Sequence, residues 1–441
     1  MNYTDTLTKH ALRVPDILLP KKTVDLTKWA VIACDQYTQD QEYWKRVEAL
    51  TENSPSTNSL IFPEVYLETG DRKARIQAIH QAMKEYIDPA RGDVFDRAMH
   101  GFIYLERTTE YGRTRKGIVA AIDLESYDWK PDTTALIRAT EATIVDRIPP
   151  RMEIRRGAPL ELPHIMLLVN DPNKTLVEQT GTQAKKMKPH YDTKLEPKAG
   201  HITGWEVSSD KAFSDMATAL SNLVKANTAP DGSCFLFAVG DGNHSLATAK
   251  AVWEEYRDVN KLSGAEAENH PARYALVEIV NIHDEGLTFE PIHRVLFGAD
   301  HQDLLAFVQK KLGGTISIPT DDKDLEKKVS SKQASSFGFV SKESRTLLES
   351  PHATLAVSRL QPILDEYLEK HPEIKIDYIH GTDEVFRLGN TENTLALLLP
   401  PVEKNSFFSS IASTGPLPRK SFSMGEASEK RYYMECRRLF D

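Results

Sequence analysis

The chain has 441 residues, which is enough for two or three domains with substantial hydrophobic cores. Hydrophobic residues make up 40% and charged residues 27% of it, an ordinary balance for a globular protein. The formal net charge of −9 argues against non-specific binding of nucleic acid, which depends on a surplus of Lys and Arg.

The cysteines and the apolar runs indicate the cellular compartment in which the protein is located. The three cysteines, Cys34, Cys234 and Cys436, are far apart and form no C-x-x-C pair, which argues against a disulfide framework or a zinc knuckle. The N-terminus has no apolar segment typical of a secretory signal, and the longest apolar runs have the length of strands. We therefore expect a cytoplasmic protein without a membrane partner.

The first half of the chain mixes strand and helix signals. A short buried strand is predicted at residues 29–34, an amphipathic helix at 71–86, and a β-hairpin formed by 102–105 and 118–122. The two prolines at 149–150 break the chain before a helix, and an apolar run at 164–169 predicts the next strand.

The second half contains the clearest element, a buried strand at residues 234–239. It runs directly into Gly240-Asp-Gly-Asn-His-Ser245, the 240–245 turn, and then into a helix with one apolar face. From about Gly298 the sequence becomes more charged. We therefore predict an α+β fold with an N-terminal and central catalytic region at 1–297 and a C-terminal α+β region at 298–441.

The 240–245 turn has the composition of an anion site. A glycine-containing turn between a strand and a helix presents backbone N–H groups at the positive end of the helix dipole, which suits a phosphate. Gly240 and Gly242 permit close approach of a ligand, and Asp241 can hold a metal or accept a hydroxyl proton. His244 can donate to a phosphate oxygen. The alternative is that Asp, Asn and Ser side chains merely cap the helix.

A second cluster of candidate residues comprises Arg138, Glu141, Thr143 and Arg147. Arginine binds carboxylate or phosphate with two parallel hydrogen bonds, and a carboxylate held ionised among arginines can act as a base. A solvated surface of ion pairs explains the charge pattern equally well and is the commoner case.

Three further segments are weaker candidates. These are Cys34-Asp-Gln-Tyr37 at a strand end, His293-Arg294 beside an apolar strand, and the basic segment Pro418-Arg-Lys-Ser421. Each has an ordinary structural explanation as a turn, a packed core histidine or a tail. The sequence lacks a P-loop, the protein-kinase motif set, H-E-x-x-H, G-x-S-x-G and any Cys/His zinc spacing.

Taken in order, the 34–37, 138–143, 240–245, 291–294 and 418–421 segments resemble the family known as domain of unknown function 1015. Many members of that family have the form Asp-Gly-His-His-Arg at the central turn. In this chain Asn243 and Ser245 replace the first His and the Arg. The departure keeps the backbone cradle but removes one cation.

The central turn is also similar to that of the ParB/sulfiredoxin superfamily, in which a helix start after a strand holds nucleotide phosphates. Free L-serine kinases belong to that superfamily. The resemblance therefore implies a ParB/sulfiredoxin-like core, ATP or ADP with Mg²⁺ as cofactor, and a small hydroxyl substrate. It names no metal ligands.

Three functions follow, in order of preference. The first is a nucleotide-dependent phosphotransferase acting on L-serine or a hydroxy acid; the second is a hydrolase of a phosphorylated metabolite or nucleotide at the same site. The third is a non-enzymatic nucleotide switch of the ParB type. The oligomeric state is left open, with a homodimer as one option.

The residues assigned to the site fall into three roles. Catalysis is assigned to Asp241, Glu141 and His244. Nucleotide binding is assigned to Gly240, Gly242, Asn243, His244 and Ser245. Substrate binding is assigned to Arg138, Thr143, Arg147, His293, Arg294 and Lys420.

Overall fold

The computed structural model describes residues 2–68, 70–91, 94–196, 198–331, 336–351 and 355–440. Contacts between residues divide the chain into two compact units. Unit 1 comprises Met1–Ala139, Thr143–Leu287 and Glu426–Asp441, and unit 2 comprises Thr140–Ala142 and Thr288–Gly425. The boundary between the two long segments falls at 287/288, whereas the sequence had suggested 297/298. Residues Thr140–Ala142 belong to unit 2, and the chain returns to unit 1 at Glu426.

Unit 1 combines helices with a large sheet. Its helices in the described residues are Tyr3–Lys9, Leu26–Trp29, Gln41–Thr51, Arg72–Ile87, Ile148–Arg155, Val177–Ala184, Asp210–Asn227, Asn243–Asn260 and Gly264–Asn269. Strands in short pairs outside the main sheet are Asp16–Ile17, Val31–Ile32, Met99–His100, Leu160–Glu161, Tyr432–Tyr433 and Arg437–Arg438.

The main sheet of unit 1 has ten strands in the described part of the chain. In spatial order they are Tyr191–Lys194, His201–Val207, Phe102–Thr108, Thr114–Asp123, Tyr274–Asn281, Met166–Val169, Phe237–Asp241, Ile137–Ala139 and Tyr127–Asp128, with Leu12–Arg13 beside Thr114–Asp123. Parallel and antiparallel pairs alternate in the middle of this sheet. The mixed sheet with helices confirms the predicted α+β class.

Strand Phe237–Asp241 lies inside the sheet, between Met166–Val169 and Ile137–Ala139. Its apolar residues are completely buried, as the uninterrupted run from residue 234 predicts. The strand was predicted at 234–239 but spans Phe237–Asp241, so Gly240 and Asp241 are its last two residues and the 240–245 turn starts inside a strand that has a neighbour on both sides.

Unit 2 contains an antiparallel sheet of six strands, counted over its described residues. Their spatial order is Thr315–Ser317, Arg345–Glu349, Ser336–Val340, Thr394–Leu398, His293–Phe297 and Lys375–Ile379. Strands Glu290–Pro291 and Phe422–Ser423 form a separate pair. The helices of this unit are His301–Leu312, Asp322–Ser331, Ala356–Lys370, Thr382–Gly389 and Lys404–Thr414.

Buried charges attach the end of the chain to the main sheet of unit 1. Glu278, in the middle of strand Tyr274–Asn281, accepts hydrogen bonds from Arg115 Nε at 3.1 Å and from Arg431 Nη1 at 2.5 Å. Arg431 Nη2 also donates to Glu435 at 2.5 Å. Burial by itself raises the pKa of Glu278, but Arg115 and Arg431 outweigh it and hold the pKa below its usual value. Glu278 therefore stays ionised inside the protein.

Removing one member of this network leaves a buried charge without its partner. We expect Arg431→Ala to lower the free energy of unfolding by about 3–5 kcal/mol. The matched control is Lys211→Ala, which breaks an exposed Lys211–Asp215 pair within a helix and costs about 0.3–0.5 kcal/mol. Urea denaturation measures both values. Equal small losses in the two variants would show that removing Arg431 leaves no uncompensated charge inside unit 1.

Candidate active site

The 240–245 turn is where the buried strand reaches solvent. Every residue from Gly240 to Ser245 is partly exposed, whereas residues 234–239 before it and Leu246–Ala249 after it are nearly all fully buried. A ligand can therefore reach the turn, and the elements on either side keep it in place.

Gly242 determines the geometry of the turn. It has a φ of 83°, in the left-handed region, and it occupies the N-cap position of helix Asn243–Asn260. A Cβ atom there would lie 3.0 Å from Ile165 Cγ1 and 3.1 Å from Ile165 Cα. Glycine has no side chain that could accept a hydrogen bond from the first-turn N–H groups, which have no acceptor within the helix itself.

Asp241 is held by two interactions at the end of the strand. Its Oδ1 accepts a hydrogen bond from the amide of Gly242 at 3.0 Å, and its Oδ2 lies 3.2 Å from Lys430 Nζ. The Lys430 side chain is only 12% exposed, so this ion pair is partly shielded from solvent. A carboxylate and an ammonium group thus lie together beside the turn.

His244 connects the 240–245 turn with residues 143–147, which belong to the predicted arginine cluster. Its Nε2 accepts a hydrogen bond from the amide of Ile144 at 3.2 Å. In the same segment the Oγ1 atom of Thr143 is buried and has no hydrogen-bond partner among the described residues. Arg147 is exposed nearby, in the short helix Val145–Arg147. The structure therefore brings His244 together with the segment that contains Thr143 and Arg147.

Ser245 takes part in a chain of hydrogen bonds. Its Oγ lies 2.7 Å from Nε2 of His164, and Nδ1 of the same imidazole lies 2.9 Å from the hydroxyl of Tyr433. The Tyr433 oxygen also accepts a hydrogen bond from the amide of Cys34 at 3.2 Å. Tyr433 is fully buried, so its hydrogen bond holds the imidazole of His164 in a fixed orientation.

Two carboxylates lie in the same region. Glu64 forms two hydrogen bonds with Arg151, at 2.7 Å and 2.5 Å. Burial raises the pKa of Glu64, and the negative charge of Asp35 adds to this effect, while Arg151 and His164 oppose it. The neighbourhood of His164 therefore contains a cation and two acidic groups.

Four of the predicted residues belong to unit 2. Glu141 accepts a hydrogen bond from the amide of Ser421 at 3.4 Å, and its charge acts on Arg294. Arg294 is fully buried, donates to Gln361 at 2.9 Å, and has its pKa lowered to about 10 by burial. Lys420, by contrast, is exposed.

His293, the fourth of these residues, is a buried core residue. It is 2% exposed, and its Nδ1 accepts a hydrogen bond from the amide of Leu399 at 3.1 Å. Burial, helped by Arg294 and His380, lowers its pKa from 6.5 to about 3. His293 is therefore neutral at neutral pH and packed as a structural residue, which is the alternative that its apolar neighbours indicated.

Arg138 pairs with Ala238 in the parallel pair of strands, and its side chain contacts residues that precede both strands. Its Nε donates to the carbonyl of Ala135 at 2.9 Å, and its guanidinium lies 4.8 Å from the ring centre of Phe235. Phe235 precedes the strand whose far end carries Asp241. None of these contacts brings Arg138 toward the 240–245 turn, so its assignment to substrate stays a prediction.

Sequence reasoning missed His164, Lys430, Tyr433 and Glu64. His164 had one visible signal, because it is a polar residue at the start of an apolar run that could neighbour the clearest strand. Lys430 and Tyr433 lie in a polar C-terminal segment with no motif. Their proximity to the turn depends on long-range pairing that a single sequence does not reveal.

A comparison with protein-family models shows to which family the chain belongs. The model described as "Protein of unknown function (DUF1015)" matches residues 18–367, which is most of the chain. The chain belongs to this family. The ordered motifs had predicted it, and the match spans four of the five segments that carry the resemblance. No curated protein matches the chain significantly.

Several solved structures are similar to this DUF1015 chain. One is free serine kinase in complex with ADP, with 10% identity, 71% of this chain and 90% of that chain covered, and a TM-score of 0.38. Another is a conserved hypothetical protein from Pyrococcus furiosus, with 11% identity, 72% and 90% covered, and a TM-score of 0.35. SbnI from Staphylococcus aureus, truncated at its C-terminus, has 7% identity, 70% and 82% covered, and a TM-score of 0.34.

No helix in the described part of this DUF1015 chain combines the length and apolar character that crossing a bilayer requires.

The tight packing at Gly242 can be separated from its backbone conformation. Gly232 has a similar φ of 84° but nothing within 4 Å of an added Cβ, so Gly232→Ala measures the left-handed cost alone, about 1–2 kcal/mol. We expect Gly242→Ala to cost about 1–3 kcal/mol more, because its methyl group meets Ile165. Urea denaturation compares the two variants. Equal losses would show that the turn has room to relax.

The buried His293 makes stability depend on pH. Its folded pKa of about 3 lies below its ordinary value of 6.5, so the folded protein binds fewer protons between these values. The contribution of neutral His293 to the free energy of unfolding is complete above about pH 6.5. It is lost as the pH falls, with a slope of up to ~1.4 kcal/mol per pH unit.

We expect His293→Gln to show a shallower fall in the free energy of unfolding between pH 6.5 and 4 than the unmodified chain. The control is His100→Gln, because the His100 side chain is 65% exposed. An unchanged slope in His293→Gln would mean that this histidine is protonated in the folded state.

Proposed function

We propose that the protein is a nucleotide-dependent phosphotransferase that acts on a small hydroxyl metabolite such as L-serine or a hydroxy acid. The observation that carries the proposal is the partly exposed 240–245 turn at the start of a long helix, with the Asp241–Lys430 pair beside it. Phosphoryl transfer depends mainly on positioning and charge neutralisation, and this arrangement supplies both.

The phosphates of ATP or ADP bind at the start of helix Asn243–Asn260. The N–H groups of the first turn and the positive end of the helix dipole attract the negative charge. Gly242 lets the phosphates approach the backbone of the turn closely, because it has no side chain. Lys430 Nζ replaces the cation that the Asp-Gly-His-His-Arg form of the turn carries and that Ser245 cannot supply.

Asp241 is the base toward the substrate hydroxyl. The contact with Lys430 Nζ and the hydrogen bond from the Gly242 amide fix the orientation of its carboxylate. The exposed Arg147, in the segment attached to His244, binds the carboxylate of the substrate. Glu141 and Lys420 belong to unit 2, and their roles in catalysis and substrate binding stay predictions from the sequence.

A magnesium ion is compatible with this site. The described residues contain no group of three or more His, Cys, Asp or Glu side chains that could hold a metal by themselves. Magnesium bound with a nucleotide keeps several waters and contacts the phosphates, so the ion would be held mainly by the nucleotide and Asp241 would remain the base. The ion would neutralise charge on the phosphates.

Lys430 provides the sharpest test of this site. We expect Lys430→Met to weaken ADP binding by about tenfold or more, because it removes a partly buried cation that contacts phosphate. Lys211→Met is the matched control, since Lys211 is exposed and pairs only with Asp215 on its own helix. Isothermal titration calorimetry with ADP and Mg²⁺ measures both affinities.

The reaction is tested separately with ATP and L-serine, by analysis of phosphoserine and of free phosphate. Phosphorylated serine that disappears in Asp241→Asn supports the transferase and its base. Free phosphate without phosphoserine identifies a hydrolase. Nucleotide binding without turnover identifies a switch, and the absence of nucleotide binding contradicts the proposal.

A further inference from the structure

The hydrogen-bond chain at Ser245 has the arrangement of an activated nucleophile. A hydroxyl group lies within hydrogen-bonding distance of an imidazole nitrogen, at 2.7 Å, and a third group fixes the other nitrogen at 2.9 Å. This is the general pattern in which a base removes the proton of a serine while a partner orients the base. Here Ser245, His164 and Tyr433 take the three positions.

We propose that Ser245 is a covalent nucleophile that His164 activates and that carries the phosphoryl group between donor and acceptor. The inference rests on the proposed function for the identity of the donor, a nucleoside triphosphate. It goes beyond that function in dividing the transfer into two steps with a phosphoserine on the enzyme.

The hydrogen bonds around Tyr433 permit the protonation state that this role needs. The phenol oxygen has two lone pairs, which accept from the Cys34 amide and from Nδ1–H of His164. In this arrangement Nε2 of His164 is unprotonated and accepts the hydroxyl proton of Ser245.

The place of Ser245 in the helix suits the intermediate. Ser245 is the third residue of helix Asn243–Asn260, where the dipole and the first-turn N–H groups favour negative charge. A phosphate on its oxygen adds two negative charges at that position and is stabilised there. Lys430, which is paired with Asp241 of the same turn, adds a cation to this region.

The two steps balance as follows. The Oγ atom of Ser245 bonds to the γ-phosphorus, the bond from that phosphorus to the β-phosphate oxygen breaks, and the nucleoside diphosphate leaves with the electron pair. The Ser245 proton passes to His164 Nε2. The acceptor hydroxyl then bonds to phosphorus and gives its proton to Asp241, while the phosphorus–Oγ bond breaks and His164 returns its proton to Ser245.

The first experiment detects the intermediate directly. The full chain is mixed with γ-³²P-labelled ATP and Mg²⁺ without acceptor and quenched in acid, in which phosphoserine is stable. We expect label on Ser245 by peptide mass spectrometry and none in Ser245→Ala. His164→Gln should label at least about 100-fold more slowly, since general base catalysis contributes about 10²–10⁴-fold.

The matched control is Ser209→Ala. Ser209 also lies at the start of a long helix, where it caps Asp210–Asn227 by accepting from the amide of Ala212 at 3.2 Å. Its loss should leave labelling unchanged. Urea denaturation of Ser245→Ala and His164→Gln confirms that each variant is folded before labelling is compared.

A second probe separates this inference from the proposed function. A fluorophosphonate reacts with activated serines without any nucleotide, forming the Oγ–phosphorus bond as fluoride leaves. Reaction at Ser245 without labelling by ATP supports the nucleophile and contradicts the nucleotide donor. Phosphoserine formation by Ser245→Ala at the unmodified rate supports the transferase and overturns the nucleophile, as does a folded protein that reacts with neither reagent.

Discussion

The structure depends on the left-handed conformation of Gly242, packed against Ile165. This residue turns the chain sharply from a central strand into a long helix. Because both elements are buried up to the turn, the short exposed segment between them is held rigidly. A rigid turn that presents N–H groups is pre-organised for an anion, so little ordering is needed on binding. The proposed phosphate site, the position of Asp241 and the position of Ser245 all follow from this one change of direction.

The second constraint is the buried charge network at the end of the chain. Arg431 is held inside unit 1 by Glu278 and Glu435, and it lies between Lys430 and Tyr433 in the sequence. Fixing Arg431 therefore fixes both neighbours, so that Lys430 reaches Asp241 and Tyr433 reaches His164. Burying such a network is costly and contributes little net stability by itself. Its benefit here is positional, because it brings a segment that is remote in sequence to the turn.

The sequence predicted the features that depend on local patterns. The buried strand before residue 240, the turn and the amphipathic helix were each visible in periodicity and composition, as was the α+β class. Lys430 and Tyr433 were not, because long-range strand pairing and buried ion pairs bring them to the turn and leave no local signal. The only local signal of His164 was its position at the start of an apolar run. His293 shows the converse, since a residue inside a family motif is a neutral core histidine. Motif membership alone does not distinguish contact with a ligand from support of the fold.

The central claim is that the 240–245 turn binds phosphate, and a crystal structure of the full chain with ADP and Mg²⁺ tests it most directly. The account predicts phosphate oxygens within hydrogen-bonding distance of the backbone amides at the start of helix Asn243–Asn260, with Lys430 Nζ beside them. A nucleotide bound elsewhere, with the turn filled by protein side chains, would contradict it.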